Sequence, residues 1–187
     1  MFHLHLNKGQ RQAGFTLPEV LIAIAVISIL AAIAMPNFLE WLPNIRLKAA
    51  ARELYGNMQE AKLQAVKQNK DWAVVFDTVN NRYYVCSDKG ADNSWSGADD
   101  AIGKGDNTIV KTVSLRNYKS GVGYGSGSII PETTITFTNN VATFNPQGTC
   151  KSGYVYLDHE KNIDTLRVGT LSSGNIKITR WNGTDWK

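Results

Sequence analysis

Cysteine and histidine are both scarce in this 187-residue chain: Cys86 and Cys150 are the only thiols, and His3, His5 and His159 the only imidazoles. None of the compact catalytic or ligand signatures is present. There is no G-x-S-x-G, no C-x-x-C, no H-E-x-x-H and no glycine-rich phosphate loop. An enzyme would need a nucleophile and a base brought together from distant positions, and the sequence nominates neither. His159 stands between Asp158 and Glu160 in "LDHEKN", which reads as a surface turn. Strong charge of one sign is also lacking, because 20 Lys and Arg face 16 Asp and Glu for a formal charge of +4. So mild a balance supports no argument for nucleic acid from the whole chain, and any basic patch has to be local. No internal repeat is visible.

What is present is unevenly spread. The hydrophobic share is 43% with a mean hydropathy of -0.24, yet the apolar weight lies in the first forty residues. Phe15 to Met35 carries a single charge, Glu19. As a helix this run spans about 32 Å, enough for a bilayer core. Lys8 and Arg11 precede it, so the expected orientation is N-terminus in the cytoplasm and the remainder outside. The clearest small-residue junction, Ala13-Gly14, comes before the apolar run and not after it. Cleavage there leaves the helix on the mature protein. A carboxylate facing lipid costs free energy unless it finds a partner, so Glu19 reads as functional. The alternative is an acid that snorkels to the headgroups.

These residues, "KGQRQAG" followed by "FTLPEVLIAIAVISILAAIAMP", resemble the leader and N-terminal helix of type IV pilins and type II secretion pseudopilins. The resemblance implies cleavage after Gly14 by a prepilin peptidase and N-methylation of Phe15. It implies that Glu19 pairs with the α-amino group of a neighbouring subunit's first residue during filament assembly. Pro36 takes the place of the family's helix-softening proline. Pro18 departs from the family's usual aliphatic residue but falls in the first helical turn, where a missing N–H costs little.

Beyond Pro36 the helix is expected to resume, with Trp41 at interfacial depth and Pro43 permitting a bend. Leu47, Ala51, Leu54, Met58, Ala61 and Ala65 then form one apolar stripe of an amphipathic helix that faces a core. From Asp71 the texture is β: "WAVVFD", "RYYVCSD", "TIVKTVSL", "TTITFT", "VATFNP", "YVYLD", "DTLRVGTL" and "NIKITRW" read as eight short strands. Hairpins are expected across Thr78–Asn81 and across Asn139-Asn140. The fold class is therefore α+β, a long N-terminal helix packed on an antiparallel head, as in pilins. The expected organisation is 1–14 as a removable leader, 15–42 as the membrane and filament-core helix, 43–70 as the amphipathic helix, and 71–187 as the β head.

The head, with "WAVVFD", "RYYVC", "TFNPQGT" at 143–149 and "LRVGTLSSGNIKI", resembles the H-type pseudopilin and the related FimT-type minor pilin. That implies a minor pseudopilin of a type II secretion system in the inner membrane, head in the periplasm. Its partners would be other pilins, the peptidase, membrane lipid, and a platform protein with its ATPase. The alternative is a FimT-like minor pilin acting in pilus assembly and DNA uptake; a major pilin and a membrane-anchored enzyme are more distant. An oxidising compartment makes a Cys86–Cys150 disulfide the expectation, against two buried free thiols. The Asp-rich segment 87–107 could offer oxygen ligands to Ca²⁺, but EF-hand spacing is absent and a solvated loop is favoured, so no cofactor or metal is expected. Lys177 and Arg180, with Trp181 and Trp186 nearby, are candidate DNA contacts, set against an edge strand whose lysines discourage aggregation. Cargo is the other candidate partner of the head.

Overall fold

The computed structural model describes residues 14–91, 93–95, 107–118, 121–125, 134–159 and 165–187, without the side chain of Asn37. The first helix, α1 (Leu17–Gln68), is assigned without interruption through Pro36 and Pro43, so the bend allowed at Pro43 does not break it. An internal proline removes one donor from the ladder without necessarily ending it. The chain divides into two compact units between Glu40 and Trp41. In the first, the apolar side chains from Phe15 to Leu39 are exposed. In the second, α1 buries Leu47, Ala51, Leu54, Met58, Ala61 and Ala65, the stripe expected from spacing. The helix ends in a Schellman motif: Asn69 takes φ 51°, and Lys70 N donates to Ala65 O at 3.2 Å.

Two antiparallel four-stranded sheets form the head. Sheet 1 is ordered β3-β2-β1-β5 and sheet 2 β4-β6-β7-β8. The strands are β1 (Trp72–Asp77), β2 (Arg82–Asp88), β3 (Thr108–Ser114), β4 (Val122–Tyr124), β5 (Val141–Phe144), β6 (Gly153–His159), β7 (Leu166–Thr170) and β8 (Ile176–Arg180). Alternate residues of both sheets meet the helix stripe in one core: Trp72, Val74, Phe76, Tyr83 and Phe144 from sheet 1, Val155, Leu157, Leu166 and Val168 from sheet 2. The opposite face of sheet 1 carries a smaller cluster of Ala73, Val75, Tyr84 and Cys86, with Trp95 and Val141 against it. β1 is consequently buried along its whole length.

The Thr78–Asn81 hairpin forms as expected, with Asn81 at φ 51° and Asp77 opposite Arg82. Asp77 is fully buried and accepts from Asn80 N at 3.0 Å, Asn80 Nδ2 at 2.8 Å and Arg82 Nε at 2.9 Å. The second hairpin does not form. Asn139 and Asn140 both take φ 56° in a 3-10 turn, and the described residues of "TTITFT" form no strand but a single bridge of Ile135 to Val155. Thr136 N donates to Tyr154 O and Tyr156 N to Thr134 O, both at 2.9 Å. The turn therefore carries the chain from its pairing alongside β6 in sheet 2 into β5 of sheet 1. β4 was not expected from its glycine-rich sequence. The glycines on either side of it are required by close approach: a Cβ at Gly121 (φ 123°) would collide with the His159 ring, and one at Gly125 with the Asp158 carboxylate. His159 itself ends β6 and is buried, which corrects its reading as a surface turn.

β3 is an edge strand exposed from Thr108 to Thr112, including Ile109 and Val110. Its Lys111 reaches α1, where Nζ donates to Asn57 Oδ1 at 2.8 Å and lies 3.7 Å from Glu53. Asn57 Nδ2 in turn donates to Tyr83 Oη at 2.7 Å.

The expected disulfide is absent, and Cys86 and Cys150 are both free and buried. They belong to different clusters, Cys86 on the outer face of sheet 1 and Cys150 in the main core, so their side chains do not share a face. Burial pushes the Cys86 thiol up to about 12. The Cys150 thiol is raised for the same reason, opposed by a hydrogen bond from Thr170 Oγ1. Since the thiolate is the reactive form, both should resist iodoacetamide at pH 8 in the native protein and alkylate rapidly in denaturant. Intact mass would then show two adducts; a mass two hydrogens short and no adduct would contradict the free-thiol assignment.

Asp77 sets the acid stability of the hairpin. Burial alone would raise its carboxyl, but hydrogen bonds from the Asn80 side chain, Arg82 and the Asn80 N–H outweigh it and hold the group below its ordinary 3.8. A folded-state value below the unfolded one gives stability that is present above pH 3.8 and lost as pH falls through the folded value. Asp77→Asn should therefore cost about 2 kcal/mol at pH 7 and flatten the loss of stability below pH 4, as read from denaturant unfolding at several pH values.

Candidate functional site

Of the residues expected to act in processing and assembly, Gly14, Phe15 and Glu19 sit at or just before the start of α1. Gly14, Phe15 and Thr16 precede the helix in exposed backbone, and Glu19 N and Val20 N donate to Thr16 O at 3.1 and 3.2 Å. The Gly14–Phe15 bond thus lies before the helix and not within it. Glu19 falls in the first helical turn, where the helix dipole favours a negative charge. Leu17–Pro36 has a mean hydropathy of 2.5 and none of it is buried in the structure. Glu19 is the one ionisable side chain in that span. Pro36 lies at its far end.

The head brings together a different set of groups from those its sequence marks. Lys177 and Arg180 are both exposed on β8, but three residues apart on a strand they lie on opposite faces. Lys177 shares the outer face of sheet 2 with Tyr154, Tyr156, Arg167 and Thr179, whereas Arg180 has the parity of the core residues Ile176 and Ile178. The structure therefore does not bring the two candidate DNA contacts onto one face. Arg167 was missed. Its guanidinium lies 4.3 Å from the ring centres of both Tyr154 and Trp186, and its Nε donates to Thr179 Oγ1 at 2.8 Å. The signal lay in strand register, since β6–β7–β8 pairing aligns Tyr156, Arg167 and Thr179 on one line.

Trp186 reaches this cluster because residues 180–187 turn back on themselves. Lys187 N donates to Arg180 O at 2.9 Å, Trp181 bridges Trp186, and Asn182 Oδ1 accepts from Thr184 N and Asp185 N. The rings brace one another, with Trp186 5.5 Å from Tyr156 and 5.3 Å from Trp181.

"TFNPQGT" forms a closed turn. Asn145 N donates to Thr149 O at 3.1 Å and Thr149 N to Asn145 Oδ1 at 2.9 Å. Its Gly148 packs under Gly174, whose carbonyl accepts from Lys62 Nζ at 2.8 Å, so its role is to hold loops on α1. Beside it, a cleft of about 670 Å³ is lined by Lys89, Trp95, Asn139, Thr143, Asn145 and Lys151, among others. Of the Asp-rich segment, Asp88 pairs with Lys70 at 3.9 Å; Asp92, Asp99, Asp100 and Asp106 lie outside the described residues. Among the described residues, no three His, Cys, Asp or Glu side chains are grouped to hold a metal.

Residues 9–35 match the family model of the prokaryotic N-terminal methylation motif, and residues 50–175 match that of the Type II transport protein GspH. Two solved structures of the minor pseudopilin EpsH from the type 2 secretion system of Vibrio cholerae are similar to the chain. Each has 15% identity and a TM-score of 0.47 over 71% of this chain, covering 95% and 92% of theirs. No curated protein matches it. With an apolar helix led by a methylation motif and most of the head matched by one family, the chain belongs to the GspH family of type II transport pseudopilins.

Proposed function

We propose that the chain is a minor subunit of a type II secretion pseudopilus, drawn into the filament by Glu19. The observation that carries this reading is the lone carboxylate of an otherwise uncharged, fully exposed Leu17–Pro36 span. On insertion scales an acid at the centre of such a span costs about 3 kcal/mol, and less toward the end, where Glu19 stands in the first turn. A neighbour's α-amino group removes that cost and at the same time fixes the axial position of the entering subunit. Cleavage after Gly14 creates that amino group on Phe15, so an uncleaved chain can supply neither the free amine nor an unobstructed helix start. N-methylation leaves the amine protonated and able to donate.

In this reading the N-terminus faces the cytoplasm and the head faces the periplasm, as Lys8 and Arg11 direct. A membrane platform and its cytoplasmic ATPase supply the work of insertion. The head takes no part in chemistry; it presents surfaces to neighbouring subunits. Membership of a family of filament subunits supports that role.

Glu19→Gln tests it with little steric change. The variant should be cleaved and methylated, with a mass lacking residues 1–14 and carrying one methyl, and should remain in the membrane. Its recovery in sheared filaments should fall at least about tenfold, as expected for loss of an ion pair in a low-dielectric setting. Recovery equal to that of the unaltered chain would remove Glu19 from the mechanism.

A further inference from the structure

We propose that the outer face of sheet 2 is a docking surface for one carboxylate, built around Arg167, and that an acidic side chain of a neighbouring filament subunit occupies it. This rests on the filament reading above. Arg167 is held before any partner arrives. Tyr154 and Trp186 clamp the guanidinium from two sides at 4.3 Å, and Thr179 fixes its Nε. The clamps are themselves fixed: Trp186 by Tyr156 and Trp181, and Tyr154 by lying over Gly169, where a Cβ would strike its ring. A planar fork of donors immobilised in this way loses little freedom on binding and matches a carboxylate through two parallel hydrogen bonds.

The ion pairs Lys70–Asp88, Arg82–Asp77, Lys89–Asp71 and Lys111–Glu53 of the described residues involve neither Arg167 nor Lys177. Lys177 is exposed one strand away, opposite Gly169, and so diagonal to Arg167 on the same face. Two cations lie on this aromatic floor; the acid of the same face, Asp158, is on β6, two strands from Lys177, and packs against Gly125.

The occupant is a protein side chain rather than a nucleic acid strand for two reasons. The rings are already engaged, with Arg167 or with each other, so they are not free platforms for bases. The cations form a point and not a track, since Arg180 lies on the other face. Strand binding needs free stacking rings along a continuous basic groove.

The test uses the full chain in its native cells, with the photo-crosslinking residue p-benzoylphenylalanine at exposed Asn175, beside Lys177. The expected adduct joins this chain to a pilin-like subunit through a peptide containing Asp or Glu. Arg167→Gln and Lys177→Glu should each lower its yield about tenfold, and Arg167→Lys, which keeps the charge but loses the fork, by less. Lys177→Glu is exposed and should leave the thermal midpoint unchanged, so its effect does not depend on folding. Placing a lysine at the partner's acid should restore the adduct in the Lys177→Glu chain. Adducts that are absent, unaltered by these substitutions, or formed with DNA would overturn the proposal. The mature mass and filament recovery in the same cells separate the two claims. A processed, incorporated chain with unaltered adducts refutes the docking surface alone, whereas an uncleaved chain refutes the filament reading.

Discussion

One stripe of α1 must lie against two sheets at once. Leu47, Ala51, Leu54, Met58, Ala61 and Ala65 are all at or below 1% exposure, and residues from both sheets complete the same core. The sheets share no strand, so the helix is their common floor. Alanine at three of the six positions lets the backbone approach closely, while Leu47, Leu54 and Met58 each contribute about 1.5–3 kcal/mol of burial. A larger residue at Ala51 or Ala61 would have nowhere to go without separating the layers. The polar ties of the head follow from this arrangement, since the Lys111–Asn57–Tyr83 chain and the Lys62–Gly174 bond each fasten one sheet to the same helix.

The same helix serves two environments, and its composition divides accordingly. Before Glu40 it is apolar on every side, which suits lipid or the packed centre of a filament. After Trp41 it becomes one-sided, with Lys48, Arg52 and Glu60 exposed opposite the stripe. The charge at Glu19 breaks the first pattern and is the one position there where burial alone explains nothing. In the filament reading proposed above, function enters at that exception, as violations of local pattern collect at sites under another constraint.

Much of this was legible in the residues. The helix stripe, the Thr78–Asn81 turn and most strands follow from spacing, β-branching and turn chemistry, each of which is local. Errors arose where the deciding partner was distant. "TTITFT" has strand composition, but two asparagines in left-handed conformation turn the chain toward the other sheet, leaving Ile135 only a bridge. Residues 122–124 lack strand composition, yet the glycines around them admit the His159 ring and the Asp158 carboxylate, and β6 recruits them. Compartment argued for a disulfide, whereas sheet parity put Cys86 and Cys150 on different faces. Lys177 and Arg180 attracted notice as charges, yet Arg167 is the cation that aromatic neighbours hold, and only the register of three strands shows it. The assembly helix was the most legible part, because its signal is the order of a few residues and needs no tertiary partner.

The exposed edge of β3 carries a cost that one residue keeps in check. Thr108 to Thr112 is a β-branched run with Ile109 and Val110 open to solvent, the kind of bare strand along which two heads could add to one another. Lys111 interrupts that run with a charge, and because α1 holds its ammonium through Asn57 and Glu53, the charge stays beside the edge. The tie that fastens β3 to the helix therefore also acts as a gatekeeper. One lysine thus both completes the packing of a head and sets a charge in the middle of its barest strand.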